Sequence, residues 1–265
     1  MTLDTPAAAH LLWTHWQAGT KIGALPPALR PTHAEQGHAI QALLPSVGAR
    51  QVLGWKIAAT SGVGQAHIGV SGPLAGRILS GQVDADGGTL SLRGNGMRVA
   101  EPEFAFGFGA ALAPRQAAYT VNEVLAAVDT LHPAIEVPDS RFADFAQAGE
   151  AQLLADNACA HRFVLGAATT ADWRVLDLAT HRVQGRVLAG GACRLQRDGD
   201  GSAVLGDPRV ALAWLVNELS RLGVGLAAGQ FVTTGTCMVP LALEPGDWVQ
   251  ADFGHLGEVS ARFTG

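Results

Sequence analysis

The segment Val99-Ala100-Glu101-Pro102-Glu103-Phe104-Ala105-Phe106-Gly107-Phe108 is the stretch from which the fold of this chain is read. Two alternations run through it. In an extended strand successive side chains point to opposite faces. Phe104, Phe106 and Phe108 therefore form an aromatic stripe for a core. Glu101, Glu103, Ala105 and Gly107 fall on the other face, where the small residues leave open space beside two carboxylates. Two steps of strand rise set those carboxylates about 6–7 Å apart. Pro102 has no N–H for a ladder and predicts an edge position or a strand start.

Outward from this strand the same texture continues. Short β-type runs separated by Gly-rich turns are predicted at 52–59, 134–137, 163–165, 182–188, 231–234, 248–253 and 258–263. Gly254-His255-Leu256-Gly257 reads as a hairpin connection between the last two. Helices are predicted over 121–130, behind Thr120 as N-cap, and over 208–222, with Asp207 as cap and Pro208 after it. Residues 1–50 differ. Leu11, Leu12, Trp13 and Trp16, then Ala39, Ile40, Leu43 and Leu44, cluster at helical spacing on either side of Leu25-Pro26-Pro27. The expected class is α+β, with a small helical N-terminal lobe (1–50) and a larger β-rich catalytic domain (51–265).

Composition removes several functions. Of 265 residues 48% are hydrophobic and only 15% charged, which argues against disorder. The net charge of −5 comes with no basic block, so a nucleic-acid surface is not expected. The longest strongly apolar runs, such as Val210–Val216, are too short to cross a bilayer. The N-terminus lacks the positive charge of a signal peptide. Cys159, Cys193 and Cys237 are widely spaced, as free thiols in a reducing cytoplasm would be, and Cys159-x-His161 is a weak metal signal. No G-x-G-x-x-G or Walker loop is present.

Two further charges stand in apolar strands. Glu136, in Pro133-Ala134-Ile135-Glu136-Val137-Pro138, is a third acid whose charge must be met. A divalent cation would relieve all three glutamates, and an all-oxygen donor set favours Mg²⁺ or Mn²⁺. The alternative is a solvated edge for Glu101 and Glu103, with Glu136 paired to an arginine. Lys56, in Gly54-Trp55-Lys56-Ile57, is one of only two lysines. A buried lysine can exchange its proton where arginine cannot; alternatively its stem snorkels to water.

These segments resemble the 2-keto-4-pentenoate hydratase and 4-oxalocrotonate decarboxylase family of the fumarylacetoacetate hydrolase superfamily. Gly54-Trp55-Lys56-Ile57 with Thr60-Ser61 is similar to its G-[WH]-K-[IV]-G-x-T-S segment. Glu101-Pro102-Glu103 is similar to its E-x-E motif, and Pro133 to Arg141 to P-A-[IL]-E-[IL]-x-D-[SA]-R. Ala155-Asp156-Asn157-Ala158 before Phe163-Val164-Leu165-Gly166 fits as well, as does the end from Trp214 to Phe263. The resemblance implies a mixed β-sandwich roll, usually homo-oligomeric, and a Mg²⁺ or Mn²⁺ site at Glu101, Glu103 and Glu136. It also implies a catalytic Lys56 in the pocket, its pKa depressed by metal and burial. Asp139, Arg141, Asp156, Asn157 and Thr236 are secondary candidates for substrate binding, although Arg141 could simply pair with Asp139.

The implied activity is a cytoplasmic, metal-dependent hydratase of aromatic-compound catabolism, acting on a short 2-hydroxy-dienoic or 2-oxo-enoic acid. A decarboxylase of the 4-oxalocrotonate type is the alternative. An acylpyruvate C–C hydrolase ranks lower, because His33, Glu35 and His38 lie in a polar helical stretch without the expected companions. A silent homologue in complex with a pathway enzyme stays open. The chain also departs from the family. Its 73–82 segment, Pro-Leu-Ala-Gly-Arg-Ile-Leu-Ser-Gly-Gln, lacks the acids of P-D-[FY]-G-x-[LF]-[LF]-D-D-M. Ala58 replaces a glycine, and Thr233-Thr234-Gly235-Thr236 differs from both L-S-G-S and L-T-G-G.

Overall fold

A computed structural model describes residues 3–265. In chain order its elements are α1 (Thr5–Ala18), α2 (Ala34–Gln41), α3 (Leu44–Val47), β1 (Val52–Ala58), α4 (Gly62–Ile68), β2 (Leu74–Leu79), β3 (Val83–Ala85), β4 (Thr89–Ser91), β5 (Val99–Phe108) and α5 (Val121–Ala126). There follow β6 (Val128–Val137), α6 (Glu150–Ala155), β7 (Arg162–Leu165), β8 (Arg182–Ala189), β9 (Ala192–Asp200), α7 (Pro208–Arg221), β10 (Phe231–Thr236), β11 (Leu241–Ala242), β12 (Trp248–Asp252) and β13 (Glu258–Thr264).

Two sheets result. The larger runs β2-β1-β10-β5-β6-β7-β3, with β11 also paired to β5, and the smaller runs β4-β13-β12-β8-β9. Phe104, Phe106 and Phe108 of the first sheet share one core with Val183, Val187, Val249, Ala251 and Phe263 of the second. Phe104 packs edge-on to Phe253, with ring centroids 5.2 Å apart. Each buried Phe or Val among them contributes about 1.5–3 kcal/mol of transfer free energy. That burial fixes which face of β5 turns inward, and so sends Glu101 and Glu103 to the opposite face. The N-terminal helices pack on a second core, where Ala8, Leu12, Leu25, Ile40 and Leu44 meet Leu74, Phe142, Leu153 and Leu154.

Several expectations need correction. Pro102 does not mark an edge, because β5 lies between β10 and β6. Its carbonyl accepts from Cys237 N–H on the side where the neighbour changes from β11 to β10. The missing N–H thus falls at a break in the ladder. The helix expected over 121–130 ends at Ala126. Thr120 and Glu123 do form a capping box, but the β-branched Val128 and Thr130 join β6, which begins well before Ala134. Asp207 caps α7 as read, accepting from Arg209 N–H at 2.7 Å. No helix among the described residues is long and apolar enough to cross a membrane.

Candidate active site

The register of the large sheet assembles the site. Glu101 lies directly opposite Glu136, and Glu103 opposite Ala134. Across the other side of β5, Thr233 pairs with Ala105, and Lys56 of β1 pairs with Thr233. Residues in one row across a sheet share a face, so Lys56, Thr233 and Ala105 lie on the face that carries the three glutamates. The small Ala105 and Ala134 leave the room that long side chains need there.

Ligand oxygens of Glu101, Glu103 and Glu136 come within 4.8 Å of one another. Glu103 and Glu136 are buried, and Glu101 is half-buried on the wall of a cavity. Oε2 of Glu103 accepts from the Thr233 hydroxyl and from Gly235 N–H at 2.9 Å. Oε1 of Glu136 accepts from Lys56 Nζ at 3.1 Å. The remaining oxygens, Oε1 of Glu103 and Oε2 of Glu136, are buried without any hydrogen-bond partner. Burial raises all three carboxyls above their ordinary range, and the neighbouring glutamates add to the rise at Glu101 and Glu103, with Glu101 pushed to about 7. Two orphaned oxygens in a cluster of three hard donors fit a divalent cation, which would satisfy both and offset the mutual repulsion. The solvated-edge alternative for Glu101 and Glu103 is not what this packing shows.

Lys56 is 2% exposed, so its stem does not snorkel. Besides Glu136 it donates to Ala158 O at 3.0 Å. Burial alone would lower its pKa, but Glu136, Glu101 and Glu103 outweigh it and raise the value above that of free lysine. The expected depression is therefore not a property of Lys56 among these bare carboxylates.

The acceptor at Ala158 sits in an unusual turn. Asn157, Ala158 and Cys159 all have left-handed backbone, with φ of 58°, 52° and 61°. Each such non-glycine residue costs about 1–2 kcal/mol. The Asn157 side chain clamps the turn to β2, accepting from Arg77 N–H at 2.7 Å and donating to Arg77 O at 2.8 Å. Asp156 is buried against Arg141 and the Ser140 hydroxyl. Asp139 pairs with Lys21, so the expected Arg141–Asp139 pair is replaced by two others. Of the five secondary candidates, Thr236 lines the cavity, whereas Asp139, Arg141, Asp156 and Asn157 hold the frame around it.

The cavity, about 680 Å³, opens over Lys56 and Glu101 and is walled by β1, α4, the 97–99 segment and the 235–240 loop. Thr233, Gly235 and Ala158 are site residues that the sequence reading missed. Thr233 carried one available signal: an internal threonine in an apolar strand beside Gly235. The segment at 73–82, where the family acids are missing, forms buried β2, and Leu74 packs in the second core.

No protein-family model matches the chain. A 2-keto-4-pentenoate hydratase of Paraburkholderia xenovorans (strain LB400) is 33% identical, covering 97% of this chain and 93% of that protein. The chain belongs to the family of 2-keto-4-pentenoate hydratases and 4-oxalocrotonate decarboxylases. A 4-oxalocrotonate decarboxylase of a Pseudomonas species is 34% identical over 82% of this chain and 80% of its own length. Among solved structures, 4-oxalocrotonate decarboxylase from Pseudomonas putida G7, complexed with magnesium and adipate, superposes with a TM-score of 0.83. It is 27% identical and the match covers 99% of both chains. The mixed architecture of helices and two sheets is shared with that decarboxylase structure.

Proposed function

We propose that the protein is a divalent-metal-dependent hydratase that adds water to a short 2-hydroxy-dienoic or 2-oxo-enoic acid. Glu101, Glu103 and Glu136 hold the cation, Mg²⁺ or Mn²⁺, and Lys56 handles the proton. The observation that carries this reading is the convergence of three carboxylates with a buried lysine, Glu101 and Lys56 lining the cavity and Glu103 and Glu136 buried beside them, in a chain 33% identical to a hydratase. A bound cation supplies Lewis-acid polarisation of the oxygens of a 2-oxo acid.

The chain's own residues do the rest. Glu136 divides its oxygens: Oε1 orients Lys56, and Oε2 remains for the cation. Thr233 and Gly235 fix the rotamer of Glu103 through its other oxygen. Lys56 spends two of its three N–H donors on Glu136 and Ala158, and the third is left for the substrate. Its ammonium form is the donor: to the enolate oxygen, or to the carbon that gains hydrogen as the dienol ketonises. The apolar walls give these charges a less polar surrounding than bulk water, in which they act more strongly. We place this chemistry in a β-sandwich roll formed by the two sheets, in a cytoplasmic homo-oligomer able to associate with a pathway enzyme.

The test is spectroscopic. With Mg²⁺ or Mn²⁺ the protein consumes the absorbance of 2-hydroxypenta-2,4-dienoate without releasing CO₂, and chelation abolishes turnover. Lys56→Arg keeps the cation-induced rise in melting temperature and loses about 10²–10⁴-fold in rate; full activity in that variant would remove Lys56 from the mechanism. A second reading, decarboxylation of a 2-oxo-3-enedioate, is favoured by the 0.83 TM-score to the decarboxylase over full length. CO₂ release from 2-oxo-3-hexenedioate, without hydration of the dienoate, would establish it instead.

A further inference from the structure

Within this cavity the charged groups are confined to the floor. There Lys56 and Glu101 line it with the hydroxyls of Thr60 and Thr236, while Ser61 and His67 line it at exposed positions. The walls above are apolar: Ile68, Met97, Phe145 and Met238 lead up to Val63 and Val239 at the rim. Val63 is 82% exposed and Val239 63%. Four large apolar side chains are exposed among the described residues, and two of those four border this one opening. An apolar rim in open water is an uncompensated surface that a ligand can cover. The volume, about 680 Å³, lies within the range of roughly 300–1,000 Å³ that takes drug-sized ligands, more than a five-carbon acid fills.

The cations tell the same story. No arginine lines the cavity, although the chain is rich in arginine. Its two cationic or titratable basic residues are Lys56 and His67. Lys56 is taken by Glu136 and Ala158 O, and the His67 ring lies edge-on to Phe145 at 5.8 Å. A second carboxylate at the far end of a substrate would leave water for a wall that offers no lysine or arginine, only the exposed His67 near the rim, which is costly.

We propose that this cavity selects 2-oxo acids whose far end is an uncharged hydrocarbon tail, longer than that of a five-carbon substrate, and that it discriminates against dicarboxylates. The inference rests on the reading of the same cavity as the site of a 2-oxo-acid hydratase, and names its substrate class. Val63 and Val239 are the residues that set the preference.

The experiment titrates the full-length protein, in excess Mg²⁺, with saturated and unreactive 2-oxopentanoate, 2-oxohexanoate, 2-oxooctanoate and 2-oxohexanedioate, by calorimetry. Hydration of 2-hydroxypenta-2,4-dienoate and its longer alkyl homologues is followed in parallel. Affinity is expected to rise about three- to fourfold per added methylene. The diacid is expected to bind at least tenfold more weakly than the six-carbon monoacid. Val239→Lys and Val63→Lys, both at exposed positions, should narrow or invert that ratio. A flat or falling tail series, a diacid that binds as well as the monoacid, or a ratio unmoved by both variants overturns the inference. If the five-carbon dienoate is hydrated while the tail series is flat, the hydratase reading stands and the tail preference fails. If the tail series rises while no dienoate is hydrated, the reverse holds. Failure of every 2-oxo acid to bind overturns both.

Discussion

At the scale of single residues, the site is a place where the fold accepts a cost. Glu103 is fully buried with one oxygen unpartnered, and burial together with Glu136 and Glu101 holds its carboxyl well above the ordinary range. In the metal-free protein Glu103→Gln should therefore raise the melting temperature. Adding Mg²⁺ should stabilise the wild type by about 3 kcal/mol at a hundredfold excess over Kd, and the variant far less. Thermal scans with and without the cation, on both proteins, measure this; an equal response would take Glu103 out of the ligand set. A second, half-buried group sits behind the site. His161, whose Nδ1 is buried without a partner, is pushed down to about 4, chiefly by burial. Its unfolded value is near 6.5, so the unfolded state binds the proton first. Stability contributed by neutral His161 is whole above pH 6.5 and is lost as pH falls toward 4, by about 3 kcal/mol in total. Denaturant titrations from pH 7 to 4 should show a shallower loss for His161→Gln than for the wild type. Parallel curves would mean that the ring is not desolvated in solution.

At the scale of elements, the strands carry the legible information and the turn between α6 and β7 carries what was hidden. The face pattern of β5 could be read because the phenylalanines alternate strictly with small or acidic residues. Glu136 could be read because a lone carboxylate in an apolar run has few explanations. β9 escaped because it is polar and largely exposed, and α4 because its two glycines mask a short helix capped by Ser61. The left-handed turn at 157–159 had little signal: Asn tolerates positive φ better than most residues, but Ala and Cys do not. Its strain is held by the two hydrogen bonds of Asn157 to the backbone of Arg77. Gly76 on β2 is required beside it, since a Cβ there would lie 2.4 Å from Asn157 O and 3.1 Å from the Lys56 stem. Asn157→Ala should relax the turn, withdraw the Ala158 carbonyl from Lys56 and lower kcat tenfold or more, with cation binding by the three glutamates retained. A kcat unchanged in that variant, with the melting temperature lowered, would assign the turn to stability alone.

At the scale of the whole molecule, the division at residue 50 is a change of texture that the packing crosses. Leu12, Ile40 and Leu44 share their core with Leu74, Leu153 and Leu154 from beyond that point. The Gln41 side chain, itself buried, donates to Ala75 O at 2.8 Å and Leu154 O at 3.1 Å, and its oxygen accepts from Arg77 at 2.5 Å. Ile22 N–H donates to Arg141 O, and Ala143 N–H to Ile22 O, so the chain before α2 is stitched to the segment that leads into α6. That segment and the turn after it carry the Lys56 acceptor, which makes the helical lobe part of what positions Lys56. We propose that lobe and β-rich part unfold as one unit. A chain starting at residue 51 should then lack a cooperative thermal transition, bind hydrophobic dyes and show no cation-induced stabilisation. Leu12→Ala in the intact chain should cost about 3–5 kcal/mol and move a single transition rather than split it. A cooperative transition in the shortened chain, with the cation response intact, would show instead that the carboxylate site belongs to a domain that folds without the lobe.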